Sequence, residues 1–203
     1  MKVITTVVGE LSTNCYLVID EKTREAALID PADSPDRLSA LIEREGVTLR
    51  YILLTHGHRD HTLAAPAMHE RFPDAAVYIH RLDASGSGIY HYPLEGVIDG
   101  LKYYDEGDML PLGSLTVTVL YTPGHTAGSV TLQIGDALFV GDTLFAGSYG
   151  RTDLPGGDPM EMLASLHRLG KLEGDYTVYP GHMESTTLAR EKQFNPFIRQ
   201  ALR

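Results

Sequence analysis

The chain has no tryptophan, a single cysteine, little positive charge and no apolar run of membrane-spanning length. One cysteine, Cys15, excludes an internal disulfide and suits a reducing cytoplasm, the expected location. Set within NCYLVI, it reads as a small core residue. A bilayer span needs about 20 apolar residues, and nothing in the chain approaches that. The start, MKVITTVVGE, is too short and too broken by Thr5, Thr6 and Gly9 for a secretory apolar region. Lysine and arginine number 17 against 27 aspartates and glutamates, a formal net charge of -10. Such a chain repels polyanions, and no basic patch offsets this, so neither nucleic acid nor membrane is an expected partner. Repeats and low-complexity tracts are absent as well, beyond a loose two-fold echo of strands followed by helix. With 43% hydrophobic residues over 203 positions, one domain spanning 1–203 is expected.

Short runs rich in β-branched residues predict strands at 2–8, 15–19 and 26–29, a meander punctuated at Gly9, Glu21–Lys22 and Asp30–Pro31. Ser34-Pro35-Asp36 reads as an N-cap followed by proline in the first turn, and Leu38, Leu41 and Ile42 share one face before Gly46. Residues 49–54 read as a buried strand. TLAAPAMHERF reads as a helix with Pro66 in its first turns, and 77–80 as a further strand. Residues 84–108, rich in Gly, Tyr and Asp, read as a long excursion of the kind that is disproportionately functional; whether it forms a substrate flap is left open by the sequence. Strands at 115–121, 129–134 and 137–140 and helices at about 160–169 and 185–193 complete the pattern.

What stands out chemically is YILLTHGHRDH, residues 51–61. His56 and His58 lie two apart beyond a strand, so in extended backbone their side chains leave on the same side and converge on one ion. Asp60 and His61 are adjacent in a tight turn and suit a second ion, or a metal-bound water. TPGHT (122–126), GDTLF (141–145) and YPGHM (179–183) each end a strand in a His or Asp beside glycine, and strand ends on one rim of an α/β fold are where ligands bind. His125, Asp142 and His182 bring the set to five histidines and two aspartates. Seven ligands suit two metals sharing a carboxylate, with Asp142 the natural bridge. A solvated polar turn is the bland alternative, outweighed by the matching fragments elsewhere. His69, His80, His91 and His167, each alone, read as surface or internally satisfied residues.

THGHRDH, TPGHTAGS, GDTLFAGSYGRTD and PGHMEST together resemble the metallo-β-lactamase superfamily, and within it the glyoxalase II-like (hydroxyacylglutathione hydrolase-like) enzymes. The resemblance covers nearly the whole chain in order. It implies an α/β fold, a four-layered αββα sandwich with metals at one edge of the two sheets. It also implies that His56, His58 and His125 hold one metal, that Asp60, His61 and His182 hold the other, and that Asp142 bridges them. The β-lactamases of the superfamily typically carry cysteine or serine where Asp142 stands and are exported, so β-lactam hydrolysis is discounted. Glyoxalase II proper continues into a helical domain that helps grip glutathione. The residues after His182 are too few for it, which aligns the chain with short single-domain relatives and raises the KM expected for glutathione thioesters.

The expected reaction is hydrolysis of a small acyl thioester, S-lactoylglutathione or a related 2-hydroxyacyl thioester. Two divalent ions about 3.5–4 Å apart acidify a bridging water, and the resulting hydroxide is the nucleophile. One ion polarises the carbonyl while the other accepts the thiolate, and Asp60 orients the hydroxide and takes its proton. Zinc is the default metal, but the mixed nitrogen and oxygen set also suits iron and manganese. Arg151 is a candidate for pairing with a substrate carboxylate, against the competing reading of an ion pair with Asp153 or Asp158. Tyr149, Tyr90 and Tyr92 are candidates for the groove wall, against ordinary packing. Two other function classes stand beside the hydrolase. One is a persulfide dioxygenase using a single iron held by two histidines and an aspartate; the other is a non-catalytic scaffold, disfavoured by the complete ligand set.

Overall fold

A computed structural model describes residues 1–86 and 90–203, so residues 87–89 of the expected excursion lie outside the described residues. Strands β1 (Lys2–Val8), β2 (Thr13–Ile19) and β3 (Glu25–Ile29) form the expected antiparallel meander. Helix α1 (Pro35–Glu45) then returns the chain to β4 (Thr48–Leu53), parallel to β3. Two short helices, α2 (Arg59–Thr62) and α3 (Ala65–Arg71), lead to β5 (Ala76–His80), followed by α4 (Arg81–Ala84) and β6 (Lys102–Tyr104). These six strands make one sheet in the order β1 to β6.

The second sheet begins with β7 (Met109–Leu112), β8 (Leu115–Tyr121), β9 (Val130–Ile134) and β10 (Ala137–Gly141), all antiparallel neighbours. A two-stranded ribbon, β11 (Leu144–Phe145) and β12 (Ser148–Tyr149), precedes α5 (Pro159–Lys171). Strand β13 (Thr177–Pro180) pairs parallel to β10 and antiparallel to β14 (Thr186–Thr187), and α6 (Leu188–Phe194) and α7 (Pro196–Ala201) follow.

The layers follow from side-chain alternation. In β2, Cys15, Leu17 and Ile19 face one way, into a cluster with Leu38 and Ile42 of α1 and Met68 of α3. Tyr16 and Val18 face the other way and meet Val117, Val119, Leu132 and Phe139 of the second sheet. In β10, Phe139 joins this middle layer, while Leu138 and Val140 turn outward to Met162 and Leu166 of α5, Leu188 of α6 and Ile198 of α7. Helix, sheet, sheet and helix are thus stacked in the αββα order. Because both faces of each central strand are covered, TNCYLVI is buried throughout and shows no polar alternation. Among the described residues, no helix is long and apolar enough to cross a membrane.

Several local expectations change. Ser34 does precede Pro35, but its backbone is left-handed (φ 55°) and its side chain makes no capping bond; its hydroxyl donates to Asp33 Oδ1 instead (3.1 Å). The excursion at 84–108 contains β6, and its KYY core is too short to show a period. Residues 186–187 are strand rather than helix, and α7 adds a turn of chain past 193. Its start is set by Asn195-Pro196, where the Asn195 side chain accepts from the amides of Phe197 and Ile198.

Candidate metal centre

Strands β8 and β10 flank antiparallel β9 and so run the same way, and β13 lies parallel to β10; their carboxyl ends therefore share one rim. Beyond these ends lie His125, Asp142 and His182, and across the sandwich the turn after β4 carries His56 and His58, with Asp60 and His61 in the first turn of α2. All seven expected residues are brought together. Ligand atoms of His56, His58 and His125 lie within 4.8 Å of one another, as do those of Asp60, His61 and His182. Asp142 spans the two groups: Oδ1 is 3.5 Å from His61 Nε2, and Oδ2 is 3.5 Å from His125 Nε2 and 3.6 Å from His182 Nε2.

Outer hydrogen bonds aim most of these rings. Thr55 donates its hydroxyl to Asp30 Oδ2 (2.6 Å), so its oxygen is left to accept from His56 Nδ1–H (3.1 Å). His61 Nδ1–H donates to the same Asp30 oxygen (2.9 Å), His125 Nδ1–H to the Arg151 carbonyl (2.7 Å) and His182 Nδ1–H to the Leu11 carbonyl (3.1 Å). In each case the other nitrogen, Nε2, faces the centre. This is the usual way a protein fixes the tautomer of a metal-binding histidine. His58 Nδ1 faces His125 Nε2 at 2.9 Å.

The donor set fits a pair of metal ions. Among the described residues, His56 Nε2 and Asp142 Oδ1 are buried without a hydrogen-bond partner, an arrangement costly for polar atoms that nothing else coordinates. Burial and the neighbouring histidines push His56 well below the ordinary histidine range, and burial, with His125 and His91 nearby, pushes His58 to about 3, so both rings are neutral and offer lone pairs. Burial opposes ionisation of Asp60, yet the hydrogen bond from His182 and the charges of His61 and His182 hold its carboxyl well below the usual range. Burial likewise lowers His61, but Asp142, Asp30 and Asp60 outweigh it and lift the pKa to about 9. Neutral imidazoles thus gather around one group and carboxylates around the other. Asp30, also close to His56 and His61, is committed to Thr55 and His61 and serves as their support.

The centre opens into a groove of about 830 Å³, whose wall includes Leu11, Leu63, Phe145 and Met183 along with Arg59 and Arg151. Arg151 forms the competing ion pair with Asp153, bidentate at 2.7 and 2.8 Å, while still facing the groove. Tyr149 packs edge-on against Phe197 (4.5 Å between ring centres) on the side of the outer helices, because its place in the β11–β12 ribbon turns it there. The tyrosine in the groove wall is Tyr90; Tyr92 packs on the first cluster. Of the histidines set aside, His167 donates to the Ala201 carbonyl and His80 stacks on Tyr121, but His91 lies against the His58 ring at 4.9 Å.

Asp30 and Asn14 escaped sequence reading. Asp30 carried a signal, a carboxylate ending β3 next to the strand that delivers the histidines, masked by the turn reading of Asp-Pro. Asn14 holds the loop of His182: its amide donates to the carbonyls of Pro180 (3.0 Å) and Met183 (2.8 Å). Met183 sits at φ 67°, unfavourable for a side-chain-bearing residue, and this clamp holds it there. Asn14→Ala is expected to cost about 1–3 kcal/mol, because the Met183 carbonyl loses its donor and the Pro180 carbonyl keeps only the Tyr16 hydroxyl (2.6 Å). A thermal melt checks this; an unchanged melting temperature would show that the loop holds itself.

Comparison with known proteins agrees with this architecture. Residues 8–182 match the family described as the metallo-beta-lactamase superfamily. Hydroxyacylglutathione hydrolase GloC of Haemophilus influenzae is 34% identical over 199 residues, covering 91% of this chain and 92% of its own. Three solved structures superpose with a TM-score of 0.82. ETHE1 from Myxococcus xanthus is 33% identical, with 100% of this chain and 90% of that one covered. TTHA1623 in a di-iron-bound form is 38% identical (96% and 99%), and the BLEG-1 B3 metallo-beta-lactamase is 32% identical (97% and 99%). These names span more than one chemistry on a shared scaffold, as expected where function resides in the site rather than the fold. By its sandwich, its rim of histidines and aspartates and its match over residues 8–182, the chain belongs to the metallo-β-lactamase superfamily of metal-dependent hydrolases.

Proposed function

We propose that residues 1–203 form one metal-dependent hydrolase domain that cleaves a small acyl thioester, S-lactoylglutathione or a related 2-hydroxyacyl thioester. The observation that carries this reading is Asp142 reaching histidines of both triads, an arrangement suited to a two-ion centre. Similarity to a hydroxyacylglutathione hydrolase supports the substrate class. His56, His58 and His125 would hold one ion, Asp60, His61 and His182 the other, with Asp142 shared. Zinc is the default occupant; a di-iron-bound relative makes iron its main rival. When bound, the ions supply Lewis acidity and an acidified water.

The remaining work falls to the chain. Asp60, held ionised at the groove floor, orients the attacking water and takes its proton. Arg151 and Arg59 face the groove and would meet an anionic thiol half, while Leu11, Leu63, Phe145 and Met183 exclude water around the acyl bond. Arg151, already paired with Asp153, would release or share that partner on binding. The reading places the protein in the cytoplasm, which suits a lone, fully buried Cys15.

A second reading, a persulfide dioxygenase with a single iron, is compatible with the mixed nitrogen and oxygen donors, but the iron-bound relative holds two irons and this reading leaves the second triad without a task. Leaving-group chemistry tests the main reading. A thiolate leaves far more readily than an amine anion, so kcat/KM for a 2-hydroxyacyl thioester is expected to exceed that for its matched amide by at least about a thousandfold, equivalent to roughly 4 kcal/mol. Equal rates on the amide, or faster cleavage of a β-lactam, would contradict the thioesterase assignment.

A further inference from the structure

Behind the three-histidine group lies a carboxylate with no part in the chemistry above. Asp83, in α4, is 2% exposed and meets no lysine, arginine or histidine partner among the described residues. Instead it accepts three hydrogen bonds. Oδ2 takes the amide of Gly57 (2.7 Å) and the hydroxyl of Thr126 (2.7 Å), and Oδ1 takes the amide of Gly128 (2.8 Å). Gly57 is the residue between His56 and His58, and Thr126 directly follows His125. One buried side chain therefore joins the two loops that carry all three histidines of this group, one loop from each sheet.

The approach is close enough to dictate residue type. A Cβ on Gly57 would stand 2.6 Å from the Asp83 carbonyl oxygen, and one on Gly128 would stand 2.5 Å from Asp83 Oδ1. The glycine of THGH is thus the clearance for the Asp83 backbone carbonyl, and that of HTAG the clearance for its carboxylate. The excursion that follows α4 grips the turn a second time, since the Tyr90 carbonyl accepts from the Arg59 amide (2.8 Å) and the Gly57 carbonyl accepts from the Tyr92 amide (3.4 Å). Nothing comparable ties the excursion to Asp60, His61 or His182 among the described residues. The second group is supported by Leu11 and Asn14, and it shares Asp30 with His56, which Asp30 reaches through Thr55.

We propose that Asp83 is a positioning residue for the His56, His58 and His125 group alone, setting the distance between the two ligand loops and adding a negative charge behind the ion they would hold. The inference rests on the metal-centre reading but not on which substrate is cleaved. An uncharged amide at this position keeps the shape yet loses the charge and turns an N–H toward one of the two backbone donors, so one of three bonds is lost. Supports of this kind typically govern metal affinity by about 10–100-fold.

The test separates the two groups. In a His182→Ala background the three-histidine group is left intact, and in a His125→Ala background the Asp60, His61 and His182 group is left intact. Zinc affinity is measured in each by competition with a chromogenic chelator, with Asp83→Asn and Thr126→Val added in turn. Asp83→Asn is expected to weaken zinc at least tenfold in the first background and less than threefold in the second. Thr126→Val, which removes one donor and preserves the backbone, is expected to follow the same pattern with a smaller loss, and it decides the matter if Asp83→Asn fails to fold. Losses below threefold in the first background, or equal losses in both, would overturn the assignment. Wild-type protein that binds no zinc would instead remove the metal-centre reading on which it stands.

Discussion

Replacing Asp142 by alanine is expected to lower kcat/KM for thioester hydrolysis by at least about a thousandfold and to loosen both metal sites at once. Asp142 is 8% exposed and its carboxylate reaches His61, His125 and His182, so no water can take over its position at all three. Two cations held close together repel each other strongly in a medium of low dielectric, and the shared negative charge is what makes their proximity tolerable. A thousandfold loss corresponds to roughly 4 kcal/mol, in keeping with removing one buried charge from a network that depends on it. The sheets need not suffer. Phe139 and Leu138, just before this residue in β10, bury their side chains in two apolar layers that Asp142 does not enter. Circular dichroism together with elemental analysis separates the outcomes: a folded variant short of metal is expected, and a variant that keeps both metals and its turnover would show that the bridge lies elsewhere.

Chelation is expected to have the second large effect. Protein purified without chelators should carry close to two transition-metal ions per chain; stripping them should abolish hydrolysis, and adding back zinc, iron or manganese should restore it to differing degrees. Stability should fall as well, because an ion that binds only the folded chain stabilises it by about 4 kcal/mol at a thousandfold excess over Kd. For a chain of this size, that corresponds to a loss of roughly 10 °C in melting temperature per site. Part of the reason lies in what remains. His56 Nε2 and Asp142 Oδ1 are buried without hydrogen bonds, so the stripped centre retains the cost of burying polar atoms without the contact that offsets it. A melting temperature indifferent to chelation would mean the centre is not a metal site. One tightly held iron with the second group vacant would favour the dioxygenase reading.

The candidate ligands were legible because their chemistry is concentrated. Three histidines and an aspartate within His56–His61 have no packing explanation, and His125, Asp142 and His182 repeat the pattern of a polar residue beside glycine at a strand end. The layers were legible less directly, since strands such as TNCYLVI and ALFVG are apolar on both faces and a short apolar run does not say which neighbour each face meets. The supporting residues were hidden for a different reason. Asp30 and Asn14 are single polar residues near strand ends and Asp83 is one in the one-turn helix α4, places where a local role explains them adequately. Only the fold reveals that Asp83 reaches Gly57, 26 positions away, and Gly128, 45 away. Tyr149 shows the converse. Its Gly-rich surroundings suggested a groove wall, but two residues of ribbon pairing were enough to rotate it toward Phe197, and Tyr90 stands in the wall instead.

Hydrolysis and persulfide oxidation place opposite demands on the same centre, and one sample can report on both. Metal-replete protein is offered S-lactoylglutathione and then glutathione persulfide, while a thiol reagent follows release of free glutathione and an oxygen electrode follows consumption of O2. The expected result is thiol release from the thioester at the same rate with and without air, and no oxygen uptake with the persulfide. Oxygen uptake with the persulfide, together with no thiol release from any thioester, would contradict the hydrolase assignment.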